Sequence, residues 1–169
     1  SGTIESARLG AANVPDKVIH IVDSLTLSGG ERFQVLAAAI GAKAGKGIEF
    51  ILDRLSMIRS STEVIYTLDT LEYLQRGGRI GRVQALASSI LHIKPIIHVE
   101  KSDGKYTTLG KERTIDKAIE GISEYIVKNY GTETPLWVSV MHGQFAEQAD
   151  KLAGLVKTKV NVGKIEVLR

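Results

Sequence analysis

Asp103-Gly104 lies between two apolar, strand-like runs, Pro95 to Val99 and Tyr106 to Leu109. That arrangement is a hairpin signal, because Gly takes the positive φ that a tight reversal demands. The two strands must then be antiparallel neighbours, and a wholly parallel α/β fold is excluded. The earlier part of the chain has a different pattern. Val18 to Val22 form a short apolar run that ends at Asp23-Ser24, after a Pro15-Asp16 turn. It reads as a buried strand with polar groups at its C-terminal end. Two helices should follow, one carrying Phe33, Leu36, Ala37 and Ile40, the other Ile48, Ile51, Leu52, Leu55 and Ile58. Strand followed by helix suggests a parallel α/β unit.

Ser60-Ser61-Thr62 is a small polar break and the candidate boundary. We expect residues 1–61 to close a first, Rossmann-like α/β domain with a parallel sheet. Residues 62–169 should make up most of an α+β domain with a largely antiparallel sheet. Within that second part, Val64 to Leu68, Leu136 to Met141 and Val160 to Leu168 read as further strands. Helices are expected around Leu71–Leu74, Val83–Leu91, Ile115–Ile126 and Phe145–Val156.

Composition narrows the function classes. Apolar residues make up 43% and charged residues 24%, as in an ordinary globular chain. There is no cysteine, so disulfide and thiolate chemistry are excluded, which fits a reducing compartment. Net charge is +3 and aromatics are only 5%, a poor basis for stacking bases. No apolar run approaches the roughly 18 residues of a membrane span.

The chemistry-bearing residues are few. His20, His92, His98 and His142 show no metal-ligand spacing, so no metal or cofactor is expected. His142 ends a strand beside Gly143, where ligand sites of α/β folds collect. Asp23 and Ser24, ahead of Gly29-Gly30, occupy a similar place; these three are candidate site-lining residues. Gly77-Gly78-Arg79-Ile80-Gly81-Arg82 is the most distinctive segment. It reads equally as an anion site, with amides and two arginine forks converging, or as a tight turn with solvated arginines. Ser1-Gly2-Thr3 precedes a helix from Ile4, and its hydroxyls suit either a cap or a ligand oxygen.

The stretch from Leu68 to Ile80, Leu-Asp-Thr-Leu-Glu-Tyr-Leu-Gln-Arg-Gly-Gly-Arg-Ile, resembles the hallmark of the DegV family. Gln84-Ala85, Ile93-Lys94-Pro95-Ile96, Val22-Asp23-Ser24 and Ser1-Gly2-Thr3 extend the resemblance in the family's order across nearly the whole chain. The resemblance implies a cytoplasmic bacterial protein, without a membrane span, acting in phospholipid metabolism. It would bind one long-chain fatty acid in a buried tunnel and present the carboxylate to a fatty-acid kinase. On that reading the chain carries substrate and is not itself an enzyme. By the same resemblance, Ser1, with Gly2 and Thr3, is expected at the fatty-acid carboxylate, and Arg79 and Arg82 face the kinase or the transferred phosphate. A Thr-Ser-Gln-Pro-like turn and a His-Thr-Gly-Pro-Gly-like motif of the family are missing. The chain is therefore expected to be truncated at both ends, with one of three head-group contacts, and His142 does not take the missing histidine's role.

Two other readings stand beside this one. From Glu63 to Asn129 the expected order of elements, with Gly78-Arg79-Ile80-Gly81 between helices, is that of a KH-type RNA-binding module. A metabolic enzyme would need Asp23, Asp69, Glu72 or His142 to converge, and no spacing links them.

Overall fold

The computed structural model describes residues 2–83, 93–131 and 133–169. Three helices come first: α1 (Gly2–Ala12), α2 (Ser28–Lys43) and α3 (Ile48–Ser61). There follow β1 (Ile65–Thr67), α4 (Glu72–Arg76) and a single 3-10 turn (Gly81–Val83). The remainder is β2 (Lys94–Val99), β3 (Tyr106–Glu112), α5 (Ile115–Tyr130), β4 (Leu136–Met141), α6 (Ala146–Lys159) and β5 (Val162–Leu168). Ser1 and the helix expected over Val83–Leu91 lie outside the described residues, apart from Val83.

The strands form two sheets. One is antiparallel in the order β1-β2-β3, and the other is the parallel pair β4-β5. The Asp103-Gly104 reversal joins β2 to β3 as expected, with Gly104 at φ +67°. β2 is buried along nearly its whole length because sheet partners flank both its edges. The parallel pair is joined through α6, since parallel neighbours need a long crossover. Sheet content in the second part is thus mixed, antiparallel in one sheet and parallel in the other.

Each sheet face packs on something apolar. Ile97 meets Leu71 and Val83 on one side of the antiparallel sheet. Ile96 meets Ala118 and Ile122 of α5 on the other. α5 holds this position because its apolar residues recur at helical spacing and its ends are closed. The Thr114 hydroxyl accepts from the Lys117 amide at 3.2 Å, and Gly131 ends the helix at φ +59°. Val140 packs on Ala149 and Ala153 of α6. Leu152 packs against both of these last two clusters, joining α5 and α6 into one apolar layer.

The strand expected at Val18 to Val22 is not formed; residues 18–22 are irregular. Val18 is 88% exposed, and no described strand runs beside the segment. A lone apolar run has nothing to satisfy its backbone groups as a strand. The segment is anchored instead through its end: the Asp23 carbonyl accepts from Arg59 of α3, and the Ser24 carbonyl from Gln34 of α2. Residues 2–61 therefore contribute helices to the described structure and no strand.

α2 is tied to the parallel pair by side-chain contacts, two of them well inside the helix. Arg32 forks onto the Glu166 carboxylate of β5. Phe33 stacks at a tilt on Trp137 of β4. These contacts set the wall of the cavity described next.

Candidate functional site

Between α2–α3 on one side and α5–α6 on the other lies a cavity of about 1320 Å³. It runs along β1 and β4, each the edge strand of its sheet. Its walls are mostly aliphatic: Leu36 and Ile40 from α2, Ile119 and Ile122 from α5, Leu152 and Val156 from α6. Helical spacing on these elements, legible in the sequence, is what aims those side chains inward. No group of residues suited to hold a metal ion occurs among the described residues.

One end of the cavity is polar. α2 begins there, and no side chain caps it, so its first amides are left for solvent or a ligand. A β-carbon on Gly29 would lie 3.2 Å from the Met141 Sδ and 3.8 Å from the Ser139 Oγ, so the helix start lies close against the C-terminal end of β4. Ser28 donates to the Met141 sulfur at 3.3 Å and holds a positive φ of +53°, a strained conformation for a residue with a side chain. Ser139 and His142 both line the cavity. The Ser139 Oγ and the His142 Nδ1 are buried and have no hydrogen-bond partner among the described residues. The orphaned Ser139 hydroxyl close to an uncapped helix start, with the His142 ring nitrogen also unpartnered on the cavity wall, suits an anionic oxygen-bearing group.

A second polar group borders the cavity at Glu63. Its carboxylate meets the His98 Nε2, the Lys101 ammonium at 2.7 Å and the Tyr130 hydroxyl. Burial is the strongest single influence on Glu63 and favours its neutral form. The bonds from Lys101, Tyr130 and His98, with the Lys101 charge, together outweigh burial and hold the carboxyl below its ordinary value. The Tyr130 hydroxyl is pushed up, by burial first and by Glu63 second. His98 also faces Glu100, at 3.6 Å. It is the hydrogen-bonded structural residue that its place in a strand implies.

The remaining expected site residues are placed as follows. Gly2 and Thr3 open α1, and neither borders the cavity. Asp23 and Ser24 do not border it either: the Asp23 carboxylate accepts from the Leu25 amide and the Ser24 hydroxyl donates to the Thr26 carbonyl. Of the candidate site-lining residues, the cavity wall includes His142. Gly78 and Gly81 take φ of +67° and +46°, the freedom for which the segment needs glycine. Arg79 donates to the Gly77 carbonyl at 2.5 Å, and Arg82 pairs with Asp103 of the β2–β3 turn at 2.7 Å. Both arginines are exposed and apart from the cavity lining. Ser139 and the Glu63 network were not singled out from sequence. Their partners are distant along the chain, and no local spacing marks them.

The comparisons agree with this architecture. A Deinococcus radiodurans protein containing a DegV domain is 36% identical over 154 residues, 89% of this chain and 54% of the relative. A Clostridium perfringens counterpart is 35% identical over 167 residues, 99% of this chain and 59% of the relative. The chain thus spans a little over half the length of these relatives. Among solved structures, a Thermus thermophilus DegV family protein, described by its fatty-acid binding, superposes with a TM-score of 0.81 at 26% identity, over 99% of this chain and 59% of that one. A Corynebacterium glutamicum DegV family protein gives 0.85 at 24% identity, over 99% and 62%, a likeness of fold alone. The family model described as "Uncharacterised protein, DegV family" matches residues 1–169, and with that match over its full length the chain belongs to the DegV family.

Proposed function

We propose that the chain contributes the acyl cavity of a fatty-acid carrier, which presents a bound long-chain acid to a fatty-acid kinase without catalysing the transfer itself. The observation that carries this reading is the large, mostly aliphatic cavity with unpartnered polar atoms of Ser139 and His142 on its wall. Each buried methylene is worth roughly 0.8 kcal/mol, so about fifteen of them give on the order of 12 kcal/mol before the costs of binding are subtracted. Aliphatic walls suffice for that, which suits a chain poor in aromatics. The carboxylate belongs against Ser139, His142 and the start of α2, where it would accept the hydrogen bonds those groups lack; this gives His142 a head-group contact that the family resemblance does not assign to it. The fatty-acid binding described for the Thermus protein supports the ligand class.

The kinase step rests on the family resemblance. Ser1, outside the described residues, is proposed near the carboxylate on the same ground, and Arg79 and Arg82 on the side facing the kinase; Gly2 and Thr3 do not border the cavity and are not placed at the carboxylate. Arg79→Ala tests the assignment. Acyl-phosphate formation with the kinase should fall at least about tenfold while fatty-acid affinity stays within about twofold. Equal losses in both would make Arg79 a structural or head-group residue. No observation favours RNA binding. The chain has a net charge of only +3 and 5% aromatics, a poor basis for gripping and stacking a nucleic acid.

A further inference from the structure

The β4–β5 register sets Ser139 beside Glu166 and Trp137 beside Lys164. Residues two apart on a strand share a face, so these four side chains stand together on one side of the parallel pair. It is the side that α2 covers, since Gly29 lies against Ser139, Arg32 reaches Glu166 and Phe33 meets Trp137. The orphaned Ser139 hydroxyl therefore has a carboxylate as its cross-strand neighbour, on a strand about 4.8 Å away. Such a neighbour is unfavourable for an anionic head group. The Glu166 side chain is only 18% exposed, so its charge is weakly screened and would repel a second one nearby.

α2 supplies the compensation. Arg32 lies three residues beyond Gly29, hence on the same helical face, and both its terminal nitrogens donate to the two Glu166 oxygens. The Lys164 ammonium, over the Trp137 ring, adds a positive charge to the same face. With Arg32 in place the balance beside Ser139 is positive. Without it, Lys164 and Glu166 cancel overall, and the carboxylate nearest Ser139 stands unpaired. Neither Arg32 nor Glu166 lines the cavity, so they act on a ligand through charge and not by contact. We propose that Arg32 is a positioning residue for the anionic head group: by neutralising Glu166 it lets an acid, and not only an uncharged lipid, lie against Ser139. The inference rests on the fatty-acid reading of the cavity and adds the group on which acceptance of an anion depends.

Palmitate and 1-hexadecanol, titrated separately against the protein, test it. Arg32→Met keeps an apolar stem and removes the charge. It should weaken palmitate binding about tenfold or more and change hexadecanol binding by less than about threefold. Glu166→Gln alone should tighten palmitate binding about threefold or more, because Arg32 then stands unopposed. Adding Glu166→Gln to Arg32→Met should return palmitate binding to within about threefold of the unaltered protein, a coupling that lost packing would not produce. Parallel losses of palmitate and hexadecanol in Arg32→Met overturn the proposal. So does a double variant that binds palmitate no tighter than Arg32→Met, or a Glu166→Gln protein that binds it more weakly than the unaltered one. Should Arg32→Met not fold, the double variant and Glu166→Gln decide: palmitate lost with hexadecanol retained in the double variant overturns the proposal. If the unaltered protein binds neither compound, the fatty-acid reading fails first, and this inference falls with it.

Discussion

Phe33 and Trp137 stack with ring centroids 5.1 Å apart and planes inclined at 52°, joining α2 to β4 across the cavity wall. The Lys164 ammonium lies 4.5 Å from the Trp137 centroid on the same indole. Trp137 is the chain's single tryptophan, so its emission reports on this wall and nothing else. Saturating the protein with a long-chain acid should shift that emission. Phe33→Ala should abolish most of the shift and lower stability by about 1–2 kcal/mol, read from urea unfolding. An emission spectrum indifferent to ligand would mean that the acyl chain does not pass this pair.

The polar end makes a separate prediction. Ser139→Ala and His142→Ala should each weaken binding of a long-chain acid by about tenfold or more, the worth of a hydrogen bond to a charged group. Binding of the alcohol of equal length should change far less. Equal losses for acid and alcohol would place these side chains along the acyl chain and not at its head. Ser1→Ala in the same assay shows whether the contact implied by family resemblance adds to this pair.

Acid stability should report on Glu63. Its folded-state value is held below the ordinary 4.5, so its contribution is fully present above that pH. The contribution is lost as pH falls from about 4.5 down through the depressed folded value. Denaturation midpoints measured over that window should drop for the unaltered protein. For Glu63→Gln the decline should be shallower from a lower starting point. Identical slopes would show that the Lys101, Tyr130 and His98 contacts do not favour the ionised carboxylate in solution.

Much of the fold could be read from local pattern, because local physics decides it. The spacing of Ile115, Ala118, Ile119 and Ile122 is enough to make α5 and to aim its apolar face, and Asp103-Gly104 is enough to reverse the chain. Val18 to Val22 show where that logic stops. An apolar run records a preference for burial, but a strand also needs a neighbour for its backbone, and the sequence does not say whether one lies alongside. The site divides in the same way. His142 was legible because a histidine closing a strand is a local feature. Ser139 acquires its meaning only from Gly29, which the fold brings against it from 110 residues earlier. The same is true of Glu63 and His98, and of Tyr66 and Tyr106, which the antiparallel sheet brings together and spacing does not reveal.

The most direct test is native mass spectrometry of the protein purified as expressed from its own gene. We predict a mass increment matching one long-chain fatty acid per chain, replaceable by added palmitate or oleate. A protein that emerges without lipid, and takes up neither acid when each is offered in excess, would contradict the account.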